Sequence, residues 1–360
     1  MKIKIITLHS IYNPGSVFQA FSLQEFLRGN HYNASIIDYR PIYSRIGKNK
    51  IKGILRKILC FRNEKRLKEK YESFIQEKMI LTNRCYQTYG DLEKRAPKAD
   101  VYLAGSDQLW NMDYDCGRDN AYYLGFVRQG AKISYATSIG KKEVPKTEMD
   151  AVASKIRDFH MVSVREKSSS EILSRRLHRE VSWVCDPVFL LPARVYEDMS
   201  RRIRKEKYIV IYLSAGSELL YEIVKDIKAR TGYRVILMGG NVTRCECEEH
   251  IKDLGPYDFL SLIRHAEIVI SSSFHATAFS HIFHRKFGVI LPEKNGERIE
   301  SLLNLSALGS HIICKKEDIP IVYEEIDYEL VDEKLGVFIE NSKRKLIHTL
   351  EELQKSQGAV

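Results

Sequence analysis

The sequence predicts an α/β fold of two Rossmann-like domains that face each other across a cleft. Three observations lead there. Short apolar runs alternate with segments of helical period along nearly the whole chain, the mark of parallel strands covered by helices. The alternation breaks once, near Pro187–Glu206, and then begins again. The chain has 360 residues, 44% apolar and 29% charged, which suffices for about two soluble domains with real cores.

Lys2–Leu8 reads as the first strand. Ser16–Arg28 follows as a helix, because Val17, Ala20, Phe21, Leu23, Gln24 and Leu27 recur at its period. Ser35–Tyr39 is the second strand, and Val101–Ala104, Ile133–Ala136, Met161–Val164 and Val181–Val184 are further short runs. Beyond the break, Lys207–Leu213, Arg234–Met238, Ile268–Ile270 and Lys286–Leu291 read as strands. Ser217–Arg230, Tyr257–His265, Ala276–Phe283 and Arg298–Leu305 read as helices, and 327–356 as one or two long terminal helices. The expected division is an N-terminal domain over 1–195, a C-terminal domain over 205–326 and a helical segment over 327–360. Ligands of open parallel sheets bind at the carboxyl ends of the strands, so the cleft between the two sheets is the expected site.

Composition narrows the function classes. Hydrophobicity is too high for a disordered chain, and no run approaches the roughly 18 apolar residues of a spanning helix. The opening MKIKIITLHS alternates lysine with a short apolar core and does not read as a secretory leader. Seven scattered cysteines without a CxxC pair give neither a disulfide framework nor a zinc motif; a metal at Cys245, Cys247 and His250 is the minor alternative. A cytoplasmic setting is expected.

The net charge of +10 is concentrated. Residues 45–70 hold eleven Lys or Arg against Glu64 and Glu69, nearly the whole excess. Ile51, Ile54, Leu55, Ile58 and Leu59 follow a helix face, with basic residues on the others. Such a segment suits an anionic membrane surface; the plainer alternative is a core-packed helix with a solvated basic side. No aromatic–basic repeat points to nucleic acid.

Four segments fall where strands end. Asn13, Gly15, Ser16 and Gln19 form a turn and helix start that can hold a hydroxylated ligand or an anion, or merely cap the helix. Asp107, Gln108, Trp110 and Asn111 put a carboxylate, two amides and an aromatic face into one loop, a combination that can bind a sugar ring. There, Asp107 as a cap and Trp110 as core is the plain alternative. Arg165, in Ser163-Val164-Arg165-Glu166, can reach a phosphate or carboxylate, or pair structurally with Glu166. Ser271-Ser272-Ser273-Phe274-His275 places an imidazole at the cleft mouth, where it can act as acid or base, or pack the helix start. Asn295 and Arg298 precede the next helix and can supply a second anion contact.

These segments, in this order, resemble the polysaccharide pyruvyl transferase family. NPGSVFQAFSLQEFL, GSDQLWN, YATSIG, SVRE, CDPVFLL and GPYDFLSLIRHAEIVISSSFHATAFSHIF are each similar to a family motif, and together they span about residues 5 to 310. The resemblance implies a GT-B-like architecture in which the last helix packs back on the N-terminal domain. It also implies transfer of pyruvate from phosphoenolpyruvate to two sugar hydroxyls as a cyclic ketal, in bacterial capsule or exopolysaccharide biosynthesis. His275 matches the family's acid, which protonates the methylene carbon of the donor. Two positions earlier the family carries a donor-binding Arg; here Ser273 stands there, so the donor's charges are expected to meet Arg165 and Arg298. Pro14 and Ala276 also depart from the pattern.

In the implied reaction Asp107 accepts the acceptor's proton, and phosphoenolpyruvate is a co-substrate with no further cofactor and no metal. The N-terminal half is expected to hold the acceptor, through Asn13, Gly15, Ser16, Gln19, Gln108, Trp110 and Asn111. A polyprenyl-diphosphate-linked acceptor would suit segment 45–70 and a peripheral place on the inner face of the cell membrane. The rival readings are a nucleotide-sugar glycosyltransferase of GT-B type and a non-catalytic member of a glycan-building complex.

Overall fold

The computed structural model of the chain describes residues 1–41, 43, 54–141, 143–213, 216–239, 245–293 and 296–358, with the backbone alone at 54–62 and 357–358. In the first half β1 (Lys2–Ile6), β2 (Asn33–Tyr39), β3 (Leu81–Tyr86), β4 (Val101–Ala104) and β5 (Ala131–Ser134) form a parallel sheet in the order β3-β2-β1-β4-β5. Helices α1 (Pro14–Gly29), α2 (Ile54–Lys78) and α3 (Tyr89–Lys94) connect its strands. After α4 (Lys146–Lys155) come β6 (Ser163–Val164), α5 (Lys167–Leu177) and β7 (Ser182–Trp183), and single bridges at Ile133–Met161 and Thr137–Val164 carry the sheet on to β6. The short α6 (Ala193–Glu197) precedes the second half.

That half repeats the plan. Strands β8 (Tyr208–Tyr212), β9 (Arg234–Met238), β10 (Glu249–Ile251), β11 (Ile268–Ser271) and β12 (Lys286–Val289) lie parallel in the order β10-β9-β8-β11-β12. Between them run α7 (Glu218–Thr231), α8 (Pro256–His265) and α9 (Phe274–Ile282); α10 (Glu297–Leu305) and the long α11 (Tyr328–Gly358) follow. Each sheet therefore reverses its strand order beside its first strand, between β1 and β4 and between β8 and β11. A crevice opens at the carboxyl ends of the strands at such a point.

Two outer strands escape the sequence reading for a physical reason. β3 and β10 are half-exposed edge strands, rich in polar residues, and carry no apolar run. α9 also begins earlier than the period suggests. Ser273 is extended (φ −104°, ψ 130°) and accepts from the Ala276 amide, so it caps the helix and His275 falls in the first turn.

One aromatic seam joins the halves. Phe18 of α1 lies with its ring centroid 5.3 Å from Phe74, 6.2 Å from Phe259 and 5.3 Å from Phe279, while Tyr196 is 5.0 Å from Phe279. All five rings are buried; Phe18 is stacked on Phe259 while the other three pairs are edge-to-face, and such pairs add to the gain from area alone. Around the seam, Lys70 of α2 bonds Asp258 at 2.8 Å and Tyr257 donates to Glu77 at 2.8 Å. α11 crosses between the halves: Tyr328 donates to Ser280 O at 3.3 Å, Phe338 lies 4.5 Å from Trp183, and the Cys185 amide donates to Ser342 at 3.0 Å. The seam brings the amino ends of α1 and α9 face to face.

Candidate active site

The first wall is the start of α1. Asn13 is extended (φ −135°, ψ 129°), and its Oδ1 accepts from the amides of Gly15 at 2.9 Å and Ser16 at 3.3 Å. Pro14 fits the first turn, where no amide donor is needed. Ser16 Oγ then donates to Asp107 Oδ2 at 2.6 Å. Asp107 itself follows β4 in the left-handed region (φ 78°), uncommon for a residue with a Cβ, and its Oδ1 accepts from the Gln108 amide at 2.8 Å. Two hydrogen bonds thus fix a carboxylate at the cleft.

The opposite wall is the start of α9. His275 is 7% exposed, with Nε2 3.6 Å from Oδ2 of Asp186 and in hydrogen bond with nothing. Nδ1 lies beside Gly15: a Cβ built there would sit 2.1 Å from it. Asp186 follows β7 and is buried. Its Oδ2 also accepts from Ser106 Oγ at 3.2 Å and from Arg165 Nη1, and its Oδ1 accepts from the Val188 amide at 3.1 Å. Burial would raise its pKa, but the charges of His275 and Arg165 outweigh that and hold the carboxyl well below the usual range.

Arg165 and Arg298 flank one ring. The guanidinium carbon of Arg165 is 4.8 Å from the centre of Phe274, and that of Arg298 is 5.9 Å from it. Phe274 and Arg298 line the open cleft, of about 780 Å³, and also a small neighbouring pocket of about 30 Å³, room for a water molecule. Arg165 lines this small pocket and not the cleft, with Phe274 shared by both. Nε and Nη2 of Arg165 and Nε of Arg298 are buried without a hydrogen-bond partner. Burial and the neighbouring Arg165 pull the pKa of Arg298 down to about 10. Two facing cations with unused donors form a place for an anion.

The structure corrects several sequence expectations. Trp110 offers no face to a sugar: it is fully buried, stacks on Tyr123 with the ring planes 9° apart, and donates to Tyr122 O. Asn111 is also buried, donating to Gln108 Oε1 at 2.7 Å and accepting from the Asp113 amide at 3.0 Å. Gln19 is fully buried and does not line the cleft; its side-chain amide bonds Thr7 Oγ1 and Ser16 O. Gly15 is part of α1 rather than a turn, and it makes room for an imidazole. Arg165 pairs with Asp186, not with Glu166, whose carboxylate instead takes Ser138 Oγ and the Gly140 amide.

Asn13, Ser16, Asp107, Gln108, Ser273, His275 and Arg298 do line one cleft. Asn295 and residues 45–53 of the basic segment lie outside the described residues, and 54–62 are described by backbone alone; Lys65, Arg66 and Lys68 are exposed on α2, and Lys70 is tied to Asp258. Of the site, the sequence reading missed Asp186, Phe274, Tyr43, Tyr114 and Asp115. Asp186 lies in the CDPVFLL motif, where the sequence gives it no role, and Tyr114 and Asp115 come three and four residues after the last residue of GSDQLWN. His250 bonds Gly239 O, and among the described residues no group of three His, Cys, Asp or Glu is placed to hold a metal. Among them, too, no helix is long and apolar enough to cross a membrane.

A family model, polysaccharide pyruvyl transferase, matches residues 13–293, which takes in both walls of the cleft. The chain belongs to the polysaccharide pyruvyl transferase family. No curated protein matches it. Solved structures similar to this pyruvyl transferase family member include a candidate UDP-N-acetylglucosamine 2-epimerase from Listeria monocytogenes. That one is 11% identical at TM-score 0.55, covering 99% of this chain and 97% of the other. UDP-GlcNAc 2-epimerase from Neisseria meningitidis, bound to UDP-GlcNAc, is 12% identical at TM-score 0.51, covering 98% and 100%. A Medicago truncatula protein complexed with UDP-glucose is 12% identical at TM-score 0.50, covering 98% of each chain. At these identities the likeness shows the fold, which is GT-B.

Proposed function

We propose that the protein transfers pyruvate from phosphoenolpyruvate to two hydroxyls of a sugar, forming a cyclic ketal. The observation that carries this reading is the placing of His275. It heads α9 in the family's motif, between Gly15 and the buried Asp186, with cations on one side and a fixed carboxylate on the other.

The donor's carboxylate and phosphate sit by Arg298 and the positive end of α9, where the short Ser273 leaves space, and Arg165 adds its charge from beside the Phe274 ring. Asp186 faces Nε2, which leaves Nδ1, beside Gly15, as the proton donor to the methylene carbon. Protonation there makes the neighbouring carbon electrophilic. A sugar hydroxyl attacks it, losing its proton to Asp107, and a phosphorylated ketal results. The C–O bond to phosphate then breaks as the second hydroxyl closes the ring. Of the two hydroxyl protons, one balances the proton gained by the methyl carbon and the other leaves with phosphate. Arg298 offsets the charge of the departing phosphate.

The test is phosphate release from phosphoenolpyruvate in the presence of sugar acceptors, with thermal melts alongside. His275→Gln should abolish release while phosphoenolpyruvate still raises the melting temperature. Full activity of that variant would overturn the assignment. Stabilisation by UDP-sugars but not by phosphoenolpyruvate would replace it with nucleotide-sugar chemistry.

The setting belongs to the same proposal: capsule or exopolysaccharide assembly on a polyprenyl-diphosphate carrier. In its support, Tyr43 lines the cleft and the basic run begins two residues later in the sequence. Flotation with anionic vesicles tests it; absence of binding at low salt would remove the membrane from the picture.

A further inference from the structure

The cleft grades from buried to open. His275, Asp107 and Ser16 at its inner end are each less than a tenth exposed. At its rim Tyr114 is 47% exposed and Ile11 46%, high for large apolar side chains, and both line the same cleft. Tyr43 lines it too, its ring held by a hydrogen bond to Asp119 at 3.0 Å. The loop that carries Tyr114 is closely built: the Tyr114 amide bonds Asn111 O at 3.1 Å, the Gly117 amide bonds Tyr114 O at 3.1 Å, and a Cβ at Gly117 would lie 2.1 Å from Asn111 O. Such a loop fixes the point from which the ring projects, which lowers the cost of ordering it on a ligand.

Among the described residues lining the cleft, Arg298 is the permanent cation and lies with His275 and the Asp107 carboxylate toward the buried end, while the rim carries the exposed carboxylate of Asp115. A pyranose has an apolar C–H face and a hydroxyl edge. Aromatic face and carboxylate acceptor together match those two features. A carboxylate on the sugar would instead meet Asp115 as a like charge.

We infer that the acceptor is a neutral pyranoside that rests its C–H face on Tyr114 and Ile11, and that Asp115 selects against acidic sugars. This names the acceptor of the cleft and rests on the pyruvyl-transfer reading. The platform replaces Trp110, the aromatic that sequence motifs suggested and that packing buries.

Saturation-transfer NMR on the full chain tests it, with methyl β-D-galactopyranoside and methyl β-D-glucopyranoside as neutral probes and methyl β-D-galactopyranosiduronate as the acidic one. The neutral probes should receive saturation on their ring C–H protons. Their affinity should fall about tenfold in Tyr114→Ala and be retained in Tyr114→Phe. The uronate should bind weakly to the unaltered chain and approach the neutral probes in Asp115→Asn. Neutral probes that bind Tyr114→Ala undiminished, a uronate that binds better than they do, or no transfer to any probe would each overturn the inference. Phosphate release separates the two readings. Tyr114-dependent binding without release would sink pyruvyl transfer and leave the platform, and release indifferent to Tyr114 would do the reverse.

Discussion

Gly15 and His275 share one space: the imidazole fills the volume that any side chain at position 15 would occupy, with Nδ1 2.1 Å from where a Cβ would stand. The helix that begins beside Gly15 and the helix that begins beside His275 come from different sheets. Their contact is therefore a property of the seam between the halves.

Gly15→Ala should cost about 10²-fold in turnover, since a displacement of about 1 Å in a catalytic group has that effect. Alanine is a good helix former, so α1 itself is not harmed. Phosphate release beside a thermal melt checks this: a variant that melts near the unaltered protein yet turns over normally would contradict the geometry.

Asp186→Asn should destabilise the protein by about 3–5 kcal/mol at neutral pH, because it leaves the buried Arg165 without its counter-charge. The folded pKa of Asp186 lies below the unfolded value of about 3.9, so its contribution is complete above that pH and is lost as pH falls toward the folded value. The variant should accordingly lose stability less steeply below about pH 4. Melting curves from pH 7 to pH 2.5 give the comparison.

Arg298→Ala should melt no lower than the unaltered protein in the absence of anions, because it removes one of two mutually repelling, poorly solvated cations. It should also lose the stabilisation that phosphoenolpyruvate confers. A full ligand-induced shift in the variant would take Arg298 out of the donor site.

His281 carries a stability signal of its own. It is buried on α9 between Thr277 O and Ser306, and burial pushes its pKa down to about 4. The unfolded chain takes up this proton near pH 6.5 and the folded one near pH 4, so stability should be full above pH 6.5 and fall between those values. His281→Gln should flatten the melting profile in that window. An unchanged slope would show that another group is responsible.

Much of this molecule is legible in one dimension. The alternation of apolar runs and helical period predicted an α/β fold with two parallel sheets, and the ordered motifs pointed to the family. These are local properties. A strand's face, a helix's period and the caps at Asn13 and Ser273 are set by residues within a few positions of one another.

What tertiary structure alone decided is which side chains share an environment. Trp110 and Tyr114 sit four positions apart in one loop, yet packing against Tyr123 and Phe159 buries the first and leaves the second at the cleft rim. Asp186 sits in a recognisable motif, but only the folded chain sets it beside Arg165 and His275, which come from two other segments. Gly15 could be read as a turn residue until α9 was brought against it. Burial and charge pairing depend on segments distant in sequence meeting across the aromatic seam, and no periodicity within one segment encodes which partner arrives.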